Sequence, residues 1–192
     1  MENPVKKRFE VIFELARPYL NTRKNDVHTE ISLKFAQELV EREGGNEGIV
    51  IPAVILHDVG WKTVPPDLQI KAFGPGASSP ELNRTHEVEG VRIAGEILRS
   101  LEYREKDIRK ILKIIDGHDS RKEALFLEDR IVKDSDKLWR YTRTGFRIDI
   151  ERFGETPGEG LSRLGTHLKE WFFTDSAKKL AEEELENRNL ES

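Results

Sequence analysis

The stretch Ile49-Val-Ile-Pro-Ala-Val-Ile-Leu-His57-Asp58-Val-Gly-Trp61 joins the most apolar run of the chain to two adjacent side chains that can bind metal. The eight residues before His57 form the least polar window of the protein, so we expect this segment to be buried. Burying a His-Asp pair costs free energy unless another group hydrogen-bonds or coordinates it. The stretch therefore predicts that His57 and Asp58 have partners, and the remaining histidines are the first candidates.

The composition indicates one globular domain that spans residues 1–192. Of these residues, 36% are hydrophobic and 35% are charged, and no window approaches the roughly 18 apolar residues that a membrane span needs. The N-terminus places charged residues where a signal peptide needs an apolar run. We therefore expect a cytoplasmic protein that makes no membrane contact.

The charge balance limits the partners. The 32 basic and 36 acidic residues give a net charge of −4 and are well mixed along the chain, so no basic stripe is available to bind duplex nucleic acid. A locally basic pocket for one small phosphorylated ligand is still allowed, and a homodimer is compatible with the sequence. Because the chain has no cysteine, any metal must be held by His, Asp and Glu.

The hydrophobic pattern predicts an all-α fold of about seven to eight helices. Periodicity alone does not distinguish a helix from a buried strand over 49–60. We favour a helix because the other long segments have helical periodicity and no second β-rich run exists to pair with this one. Pro52 would then lie in its first turn and Gly60 just beyond its end. The predicted helices are 4–20, 25–42, 49–60, 82–101, 102–117, 125–141, 156–173 and a last helix from Thr174.

Residues 61–80 form a predicted loop of about 20 residues. It contains Pro65-Pro66, Gly74-Pro75-Gly76 and Ser78-Ser79-Pro80. Structureless loops of this length inside a compact domain are usually functional or disordered. Because the loop starts directly after His57 and Asp58, it is either a lid over a site or a floppy insertion, and the sequence favours neither.

Four of the five histidines share a position: they lie at helix ends or in first turns, next to apolar faces. Any one of them alone is better explained as an ordinary hydrogen-bonded histidine. Together with two aspartates, however, they form a set with nitrogen and oxygen donors only, which suits Fe, Mn, Ni, Mg or Zn. The candidate metal ligands are His28, His57, Asp58, His86, His118 and Asp136.

The adjacency of His57 and Asp58 limits their geometry. Neighbouring residues of a helix diverge by about 100°, so the two side chains cannot both point at one ion from a straight helix. A carboxylate whose two oxygens bridge two ions relieves this constraint. We therefore expect either a distorted helix end or a site with two metals about 3.5 to 4 Å apart.

His28, the string Leu-His57-Asp58-Val-Gly and the string Ile-Val-Lys-Asp-Ser-Asp136-Lys-Leu resemble the ordered motif of the HD-domain superfamily of metal-dependent phosphohydrolases. The resemblance covers about residues 25–141, the expected metal-binding core, and leaves 142–192 as a C-terminal helical extension that packs on it. His86 and His118 match the additional histidines of the dinuclear members.

The resemblance implies a ligand assignment for two ions. His28, His57, Asp58 and Asp136 would bind the first metal, Asp58 would bridge, and His86 and His118 would bind the second. Asp134 is the alternative to Asp136 as the metal ligand in this part of the chain. We favour Asp136 because Asp-Ser-Asp-Lys-Leu resembles the family string Asp-Ala-Asp-Lys-Leu, in which the second aspartate is the ligand.

Three departures from the superfamily leave the substrate open. The chain lacks the GYP motif of the cyclic-dinucleotide phosphodiesterases. The lysine that often follows His-Asp-x-Gly is displaced to Lys62 by Trp61. In the deoxynucleoside-monophosphate branch, an acidic residue three positions after the aspartate that matches Asp58 looks catalytic. This chain has no acidic residue at that position.

The expected function is a phosphatase or phosphodiesterase that uses one or two divalent metal ions and a metal-activated water on a small phosphorylated molecule, such as a nucleotide. Two alternatives are an HD-domain diiron oxygenase and a non-catalytic helical protein with a vestigial metal site. Asp58, Asp119 and Lys62 are the candidate catalytic residues, and Glu87 or Asp119 could instead orient a ligand imidazole. The candidate phosphate-binding residues, each of which could also be a solvated surface charge, are Lys62, Arg84, Arg121, Lys133, Lys137 and Arg140.

Overall fold

Residues 4–79 and 81–190 are described by a computed structural model, and every regular element of these residues is a helix. This confirms the all-α prediction. Two short 3₁₀ turns, Val59–Thr63 and Trp139–Tyr141, follow the third and seventh helices. The α-helices are α1 (Pro4–Leu20), α2 (Asn25–Glu43), α3 (Glu47–Leu56), α4 (Pro66–Gln69), α5 (Glu81–Ser100), α6 (Glu105–Ile115), α7 (Leu127–Leu138), α8 (Arg143–Phe153), α9 (Pro157–His167) and α10 (Asp175–Leu190).

The ten helices of the described residues exceed the predicted seven to eight because α4 and α8 were not anticipated. The helix α8 begins at a regular N-cap, where the Thr142 side chain accepts a hydrogen bond from the Gly145 amide at 3.1 Å. It ends at Gly154, whose φ of 66° is a conformation that glycine adopts at little cost. Both signals are present in the sequence, but they lie in a segment with no strong apolar periodicity.

The helix α3 is the centre of the core. Every residue from Ile49 to Leu56 is buried, and the helix packs against α1, α2, α6 and α7. A helix that is apolar on all sides is stable in water only when other elements cover all of it. The helix begins earlier than predicted, at Glu47, so Pro52 lies in its interior rather than in its first turn.

The end of α3 is distorted, which is one of the two arrangements expected from the adjacency of His57 and Asp58. The helix stops at Leu56, and the backbone of Asp58 has φ −101° and ψ 4° before the chain enters the first 3₁₀ turn. This change of direction lets the two neighbouring side chains point to the same region.

Gly60 allows this 3₁₀ turn to lie directly against α5. A Cβ atom at residue 60 would overlap the carbonyl oxygen of His86 and would lie 2.6 Å from the backbone nitrogen of Gly90. Because both obstacles are backbone atoms, no side-chain movement could relieve the contact. The glycine therefore brings His86 next to the His57-Asp58 pair.

The segment after the turn is folded rather than structureless. It contains α4, and the buried Gln69 side chain donates hydrogen bonds to the carbonyl oxygens of Trp61 and Val64 at 3.0 and 2.8 Å. These bonds tie the segment to the 3₁₀ turn. The last residue of the predicted loop, Pro80, lies outside the described residues.

The C-terminal helices attach to the core through buried polar contacts. Asp134 of α7 accepts hydrogen bonds from the amides of Phe173 and Thr174 and from the Thr174 hydroxyl, at 2.7 to 2.9 Å. Thr174 in turn accepts a bond from the Ala177 amide in the first turn of α10. Asp134 therefore fixes the start of α10 and is not free to bind metal in place of Asp136.

No helix among the described residues is long and apolar enough to cross a membrane.

Candidate metal centre

Two histidines and an aspartate from three helices converge at the first position. His28 lies in the first turn of α2, His57 follows α3, and Asp136 lies in α7. The Nε2 atoms of His28 and His57 are 3.0 Å apart, and Asp136 Oδ1 lies 3.3 and 3.5 Å from them. Two ligand atoms about 2.1 Å from one ion and at right angles to each other are about 3.0 Å apart. The three donors therefore fit a single ion.

The second position is formed by histidines from two other parts of the chain. His86 lies in α5, and His118 follows α6. Their Nε2 atoms are 3.3 Å apart, and Asp119 Oδ2 lies 3.8 Å from each of them. Asp119, considered from sequence as a catalytic or orienting residue, thus adds a carboxylate to this pair.

Asp58 lies between the two positions. Its Oδ2 atom is 3.6 Å from His28 Nε2, whereas its Oδ1 atom is 3.5 Å from His118 Nε2 and 3.9 Å from His86 Nε2. The indole nitrogen of Trp61 donates a hydrogen bond to Oδ1 at 3.1 Å. Oδ1 also lies 3.8 Å from His57 Nε2. Asp58 therefore lies between the two histidine pairs, with Oδ2 near His28 and Oδ1 near histidines of both pairs, a position from which a carboxylate could be shared by two ions.

Backbone carbonyls orient two of the imidazoles. His57 Nδ1 lies 2.7 Å from the carbonyl oxygen of Val54, and His118 Nδ1 lies 3.0 Å from that of Ile115. A proton on Nδ1 satisfies each of these bonds and leaves Nε2 facing the centre. His86 is held differently: its ring stacks on Trp61 with centroids 4.0 Å apart, and its buried Nδ1 has no hydrogen-bond partner among the described residues.

Glu87 holds the turn that carries His118 and Asp119. Its Oε1 atom accepts hydrogen bonds from the amides of Asp119 and Ser120 at 3.0 and 2.8 Å, and Oε2 accepts one from the Ser120 hydroxyl at 2.7 Å. Arg84 donates to the same carboxylate at 3.0 Å. The completely buried Glu87 therefore positions the residues of the second pair.

The histidines differ in basicity within each pair. Burial alone would lower the pKa of His57, but the charge of Asp58 and a hydrogen bond to Asp136 raise it to about 9. Burial dominates at His28 and lowers its pKa. In the second pair, burial and the neighbouring His118 lower the pKa of His86 to about 4. At His118, the charge of Asp119 and a hydrogen bond to Asp58 outweigh burial and raise the pKa, so each pair combines a more basic imidazole with a less basic one.

The carboxylates are ionised despite their burial. Burial alone would raise the pKa of Asp58, but the charge of His57 holds it well below the usual range. The charge of Lys137 likewise outweighs burial at Asp136 and keeps its pKa low. Ionised carboxylates and imidazole nitrogens are the donors that Fe, Mn and Zn accept.

The donor set fits a metal centre, because its residues form three overlapping groups. Within each group, the potential ligand atoms all lie within 4.8 Å of one another. The structure brings together all six sequence-predicted ligands, and each is at most 7% exposed. The groups that could hold an ion are His28-His57-Asp136, His57-Asp58-His118 and His86-His118-Asp119.

The centre opens into a cavity of about 560 Å³. His28, Asp58, Asp119 and Asp136 line it, together with residues of the 61–80 segment such as Trp61 and Phe73 and a set of cationic and aromatic side chains. The cations are Arg23, Lys137, Arg140, Arg152 and Arg163, and the other rings are Trp139, Phe153, His167 and Trp171.

Two of the six candidate phosphate-binding residues, Lys137 and Arg140, line this cavity. Lys137 Nζ donates to Asp136 Oδ2 at 2.6 Å and to Asp119 Oδ1 at 2.9 Å, so it lies at the edge of the metal centre. Arg140 Nη1 donates to Asp149 at 2.5 Å.

The structure does not bring the other four into the cavity. Lys133 is 3% exposed and donates to three carbonyl oxygens of the loop between α6 and α7, so it secures that loop instead. Arg84 pairs with Glu87 and Asp116, and Arg121 pairs with the completely buried Asp129. Lys62, also a catalytic candidate, donates to the carbonyl oxygen of Asn21 at 3.4 Å. The prediction for these four residues was wrong because it relied on their closeness in sequence to the metal ligands. In the structure each side chain binds a partner outside the cavity.

Sequence reasoning missed Arg23, Arg152 and Arg163, which lie before α2 and in α8 and α9. None of them is close in sequence to a metal-ligand candidate except Arg23, which lies five residues before His28. The sequence pattern of 142–192 indicates a structural extension and gives no reason to single out its arginines. A positive φ of 54° at Arg23 is visible only in the structure.

Comparison with solved structures gives one fold match of high coverage. The crystal structure of a predicted HD superfamily hydrolase from an uncultured Thermotogales bacterium is similar with a TM-score of 0.62 and 18% sequence identity, over 92% of this chain and 84% of that chain. At this identity the likeness supports the fold alone. A search of curated proteins gave no match.

The sequence model of the HD domain matches residues 26–140, which contain all six residues of the two histidine pairs and the two aspartates. This range agrees with the expected resemblance over about 25–141 and covers more than half of the chain. The protein belongs to the HD domain family.

Proposed function

We propose that this protein is a divalent-metal-dependent phosphohydrolase that acts on a small phosphate ester. The proposal rests on one observation: six buried His and Asp donors lie together, and three of them, His28, Asp58 and Asp136, line a cavity that five cationic side chains also line. Cations in a cavity of this size suit an anionic substrate, and the acidic end suits metal ions. Membership of the HD domain family supports a metal-dependent hydrolase, and the similar structure of a predicted HD superfamily hydrolase supports the fold on which this proposal is built.

The residues would divide between two ions, with one carboxylate available to both. His28, His57 and Asp136 would hold the first ion, and His86 and His118 the second, with Asp58 shared. When bound, divalent ions lower the pKa of a coordinated water and withdraw charge from the phosphoryl oxygens.

Asp119 and Lys137 lie next to the proposed metal ligands, where Asp119 could take part in proton transfer and Lys137 could neutralise negative charge on the substrate. Burial alone would raise the pKa of Asp119, but the charge of Lys137 holds it below the usual range. Asp119 is therefore ionised at neutral pH and has no proton to donate. Its side chain is 26% exposed, so substrate and solvent can reach it. We assign it as the proton acceptor.

Lys137 keeps its positive charge at neutral pH, because the charges of Asp119 and Asp136 outweigh burial and raise its pKa. It can neutralise a phosphoryl oxygen at the cavity side of the centre. Lys62 has no such role in this proposal, since its ammonium group is tied to the carbonyl of Asn21 and does not line the cavity.

The proposed reaction is a hydrolysis that consumes one water molecule and needs no other reactant. The oxygen of one water forms a bond to phosphorus, and the bond between phosphorus and the ester oxygen breaks. Asp119 accepts the proton of the attacking water, and the leaving oxygen takes a proton from solvent in the open cavity. The products are inorganic phosphate and an alcohol for a monoester, or a monoester and an alcohol for a diester.

The test combines metal analysis with a substrate screen. The purified protein is loaded separately with Mn, Ni, Fe, Mg and Zn, and phosphatase and phosphodiesterase substrates are assayed for released phosphate or alcohol. Oxygen uptake is measured in parallel with the iron-loaded protein. Hydrolysis that depends on metal and is lost in Asp58→Ala supports the proposal. Two tightly bound irons with a mixed-valence signal and substrate-dependent oxygen uptake, without hydrolysis, would refute it in favour of the diiron oxygenase.

A further inference from the structure

A second group of charges lies on the cavity wall outside the metal centre. Arg140 Nη1 and Arg152 Nη1 donate to the two oxygens of Asp149, at 2.5 and 3.1 Å, and the Asp149 side chain is only 1% exposed. A third guanidinium, that of Arg23, has no carboxylate partner among the described residues. Three positive charges therefore share one hydrogen-bonded carboxylate, and Arg23 also feels the charges of Asp58 and Asp119 in the metal centre. We refer to Arg23, Arg140 and Arg152 as the arginine cluster.

Arg23 is held in place by aromatic rings instead of by an acid. Its guanidinium carbon lies 3.9 Å from the centroid of Trp61 and 4.0 Å from that of Phe73. Contacts of this kind stabilise a cation by about 0.5 to 2 kcal/mol. Two of its nitrogens, Nε and Nη1, are buried without an acceptor in the part of the chain that the structure describes. The guanidinium thus has hydrogen-bonding capacity that the protein itself does not use.

The backbone of Arg23 is also constrained. Its φ of 54° lies in the left-handed region, which costs free energy for a residue with a Cβ atom. Arg152 Nη2 donates to the carbonyl oxygen of Arg23 at 2.7 Å. The cluster is therefore built by contacts between α8 and the turn before α2, and is not a chance grouping of mobile surface arginines.

The fourth arginine of the cavity, Arg163, is paired with a carboxylate. Arg163 makes three hydrogen bonds of 2.8 to 3.1 Å to Glu155, so its charge is matched by a carboxylate. The excess positive charge is accordingly confined to the arginine cluster. Burial and repulsion by Arg152 and Arg140 lower the pKa of Arg23 to about 10, which still leaves it charged at neutral pH.

The cluster and the metal centre share one cavity and one indole ring. Trp61 contacts Arg23, stacks on His86 and donates a hydrogen bond to Asp58. A small molecule in the cavity can therefore reach both charge groups at once. The two surplus positive charges of the cluster match the charge of a phosphate monoester, about −1.5 to −2 at neutral pH.

We propose that the arginine cluster binds a second phosphate group of the substrate, so that the preferred substrates carry two separated phosphates. This inference rests on the proposed function: one phosphate is hydrolysed at the metal centre, and the other is bound by the guanidinium groups, whose planar forks suit phosphate oxygens.

The test uses matched phosphate esters with the manganese-loaded protein. Fructose 1,6-bisphosphate is compared with its two monophosphates, and adenosine 3′,5′-bisphosphate with its two monophosphates. We expect kcat/KM to be higher for the bisphosphate by at least about tenfold on one skeleton, the effect of one charge-assisted hydrogen bond. Arg23→Gln and Arg152→Gln should remove this preference. Arg147→Gln, which removes an exposed charge from α8, should keep it.

Calorimetric binding of the same compounds separates this inference from the proposed function. If no ester is hydrolysed but bisphosphates bind more tightly and Arg23→Gln removes the difference, the phosphate site stands and the hydrolase assignment fails. If esters are hydrolysed but bisphosphates show no preference, or a preference that folded Arg23→Gln and Arg152→Gln both retain, the site is refuted. A stronger preference for 3-phosphoglycerate than for 2,3-bisphosphoglycerate would refute phosphate as the second group.

Discussion

Replacing Glu87 by glutamine should weaken one half of the metal centre and spare the other. Glu87 accepts three hydrogen bonds from Asp119 and Ser120 and one from Arg84. Glutamine has nearly the same shape, but it carries no charge, and its NH2 group would face the Ser120 hydroxyl or the guanidinium. Hydrogen bonds to a charged group contribute about 1.5–3 kcal/mol and neutral ones about 0.5–1.5 kcal/mol.

The expected loss follows from this difference. Two backbone bonds that become neutral would each lose about 1 kcal/mol, and the Arg84 contact, which is half exposed at the arginine, adds little. The turn that carries His118 would therefore be destabilised by about 2 kcal/mol. Loss of such an orienting partner typically reduces metal affinity by about 10- to 100-fold. His28, His57 and Asp136 lie on other elements and should keep their affinity.

The assay is a calorimetric titration of the metal-free protein with Mn²⁺, with thermal unfolding as a check of the fold. Wild type should bind two ions, and Glu87→Gln should bind one with unchanged affinity and the second about 10- to 100-fold more weakly. Glu96→Gln, an exposed position of the same helix, is the matched control. Equal weakening of both ions, or no weakening of either, would contradict the division of the centre into two pairs.

Three further predictions concern the same elements. Asp58→Ala should abolish metal binding and hydrolysis with little change in helical circular dichroism; a variant that kept its metal and rate would disprove the bridging assignment. Because the raised pKa of His57, about 9, keeps it protonated in the metal-free protein at neutral pH, metal binding must release this proton. The association constant for Mn²⁺ should therefore rise by about tenfold per pH unit up to pH 9 and then level off, and a constant unaffected by pH would rule out His57 as a ligand. In the metal-free protein, the same pKa adds stability that is complete below pH 6.5 and lost as the pH rises through 9, which urea unfolding at several pH values measures. Gly60→Ala should lower the free energy of unfolding by about 1–3 kcal/mol because the new methyl group meets the backbone of α5. Gly165→Ala, where a methyl group has no atom of the described residues within 4 Å, should not lower it.

The helical fold and the convergence of the six donors could be inferred from sequence because each donor lies at the edge of an apolar face. The spacing from Ile131 to Asp136 and Trp139 places these residues on one side of a helix, and the structure buries all three. Helix periodicity fixes which side chains point inward. When several buried helix faces each end in a His or Asp residue, these residues are expected to lie close together in the core.

The cavity wall could not be inferred in this way. Lys133 and Lys137 are one helical turn apart in α7, yet one donates to loop carbonyls and the other to Asp119 and Asp136. Long cationic side chains reach partners several residues away, so their targets depend on tertiary structure. Arg152 shows the same limit, since its partner Arg23 is 129 residues distant.

The shared position of Asp58 has a consequence for metal loading. Asp58 lies between the two histidine pairs, within 3.5 to 3.9 Å of histidines from both, so a first ion would use part of the negative charge that would attract a second. The second ion also meets the repulsion of the first across a buried site in which charges are poorly screened. Loading is then expected to be anticooperative, with one-ion and two-ion forms over a range of metal concentrations. Metal supply would select between these forms and thereby set the fraction of protein able to act.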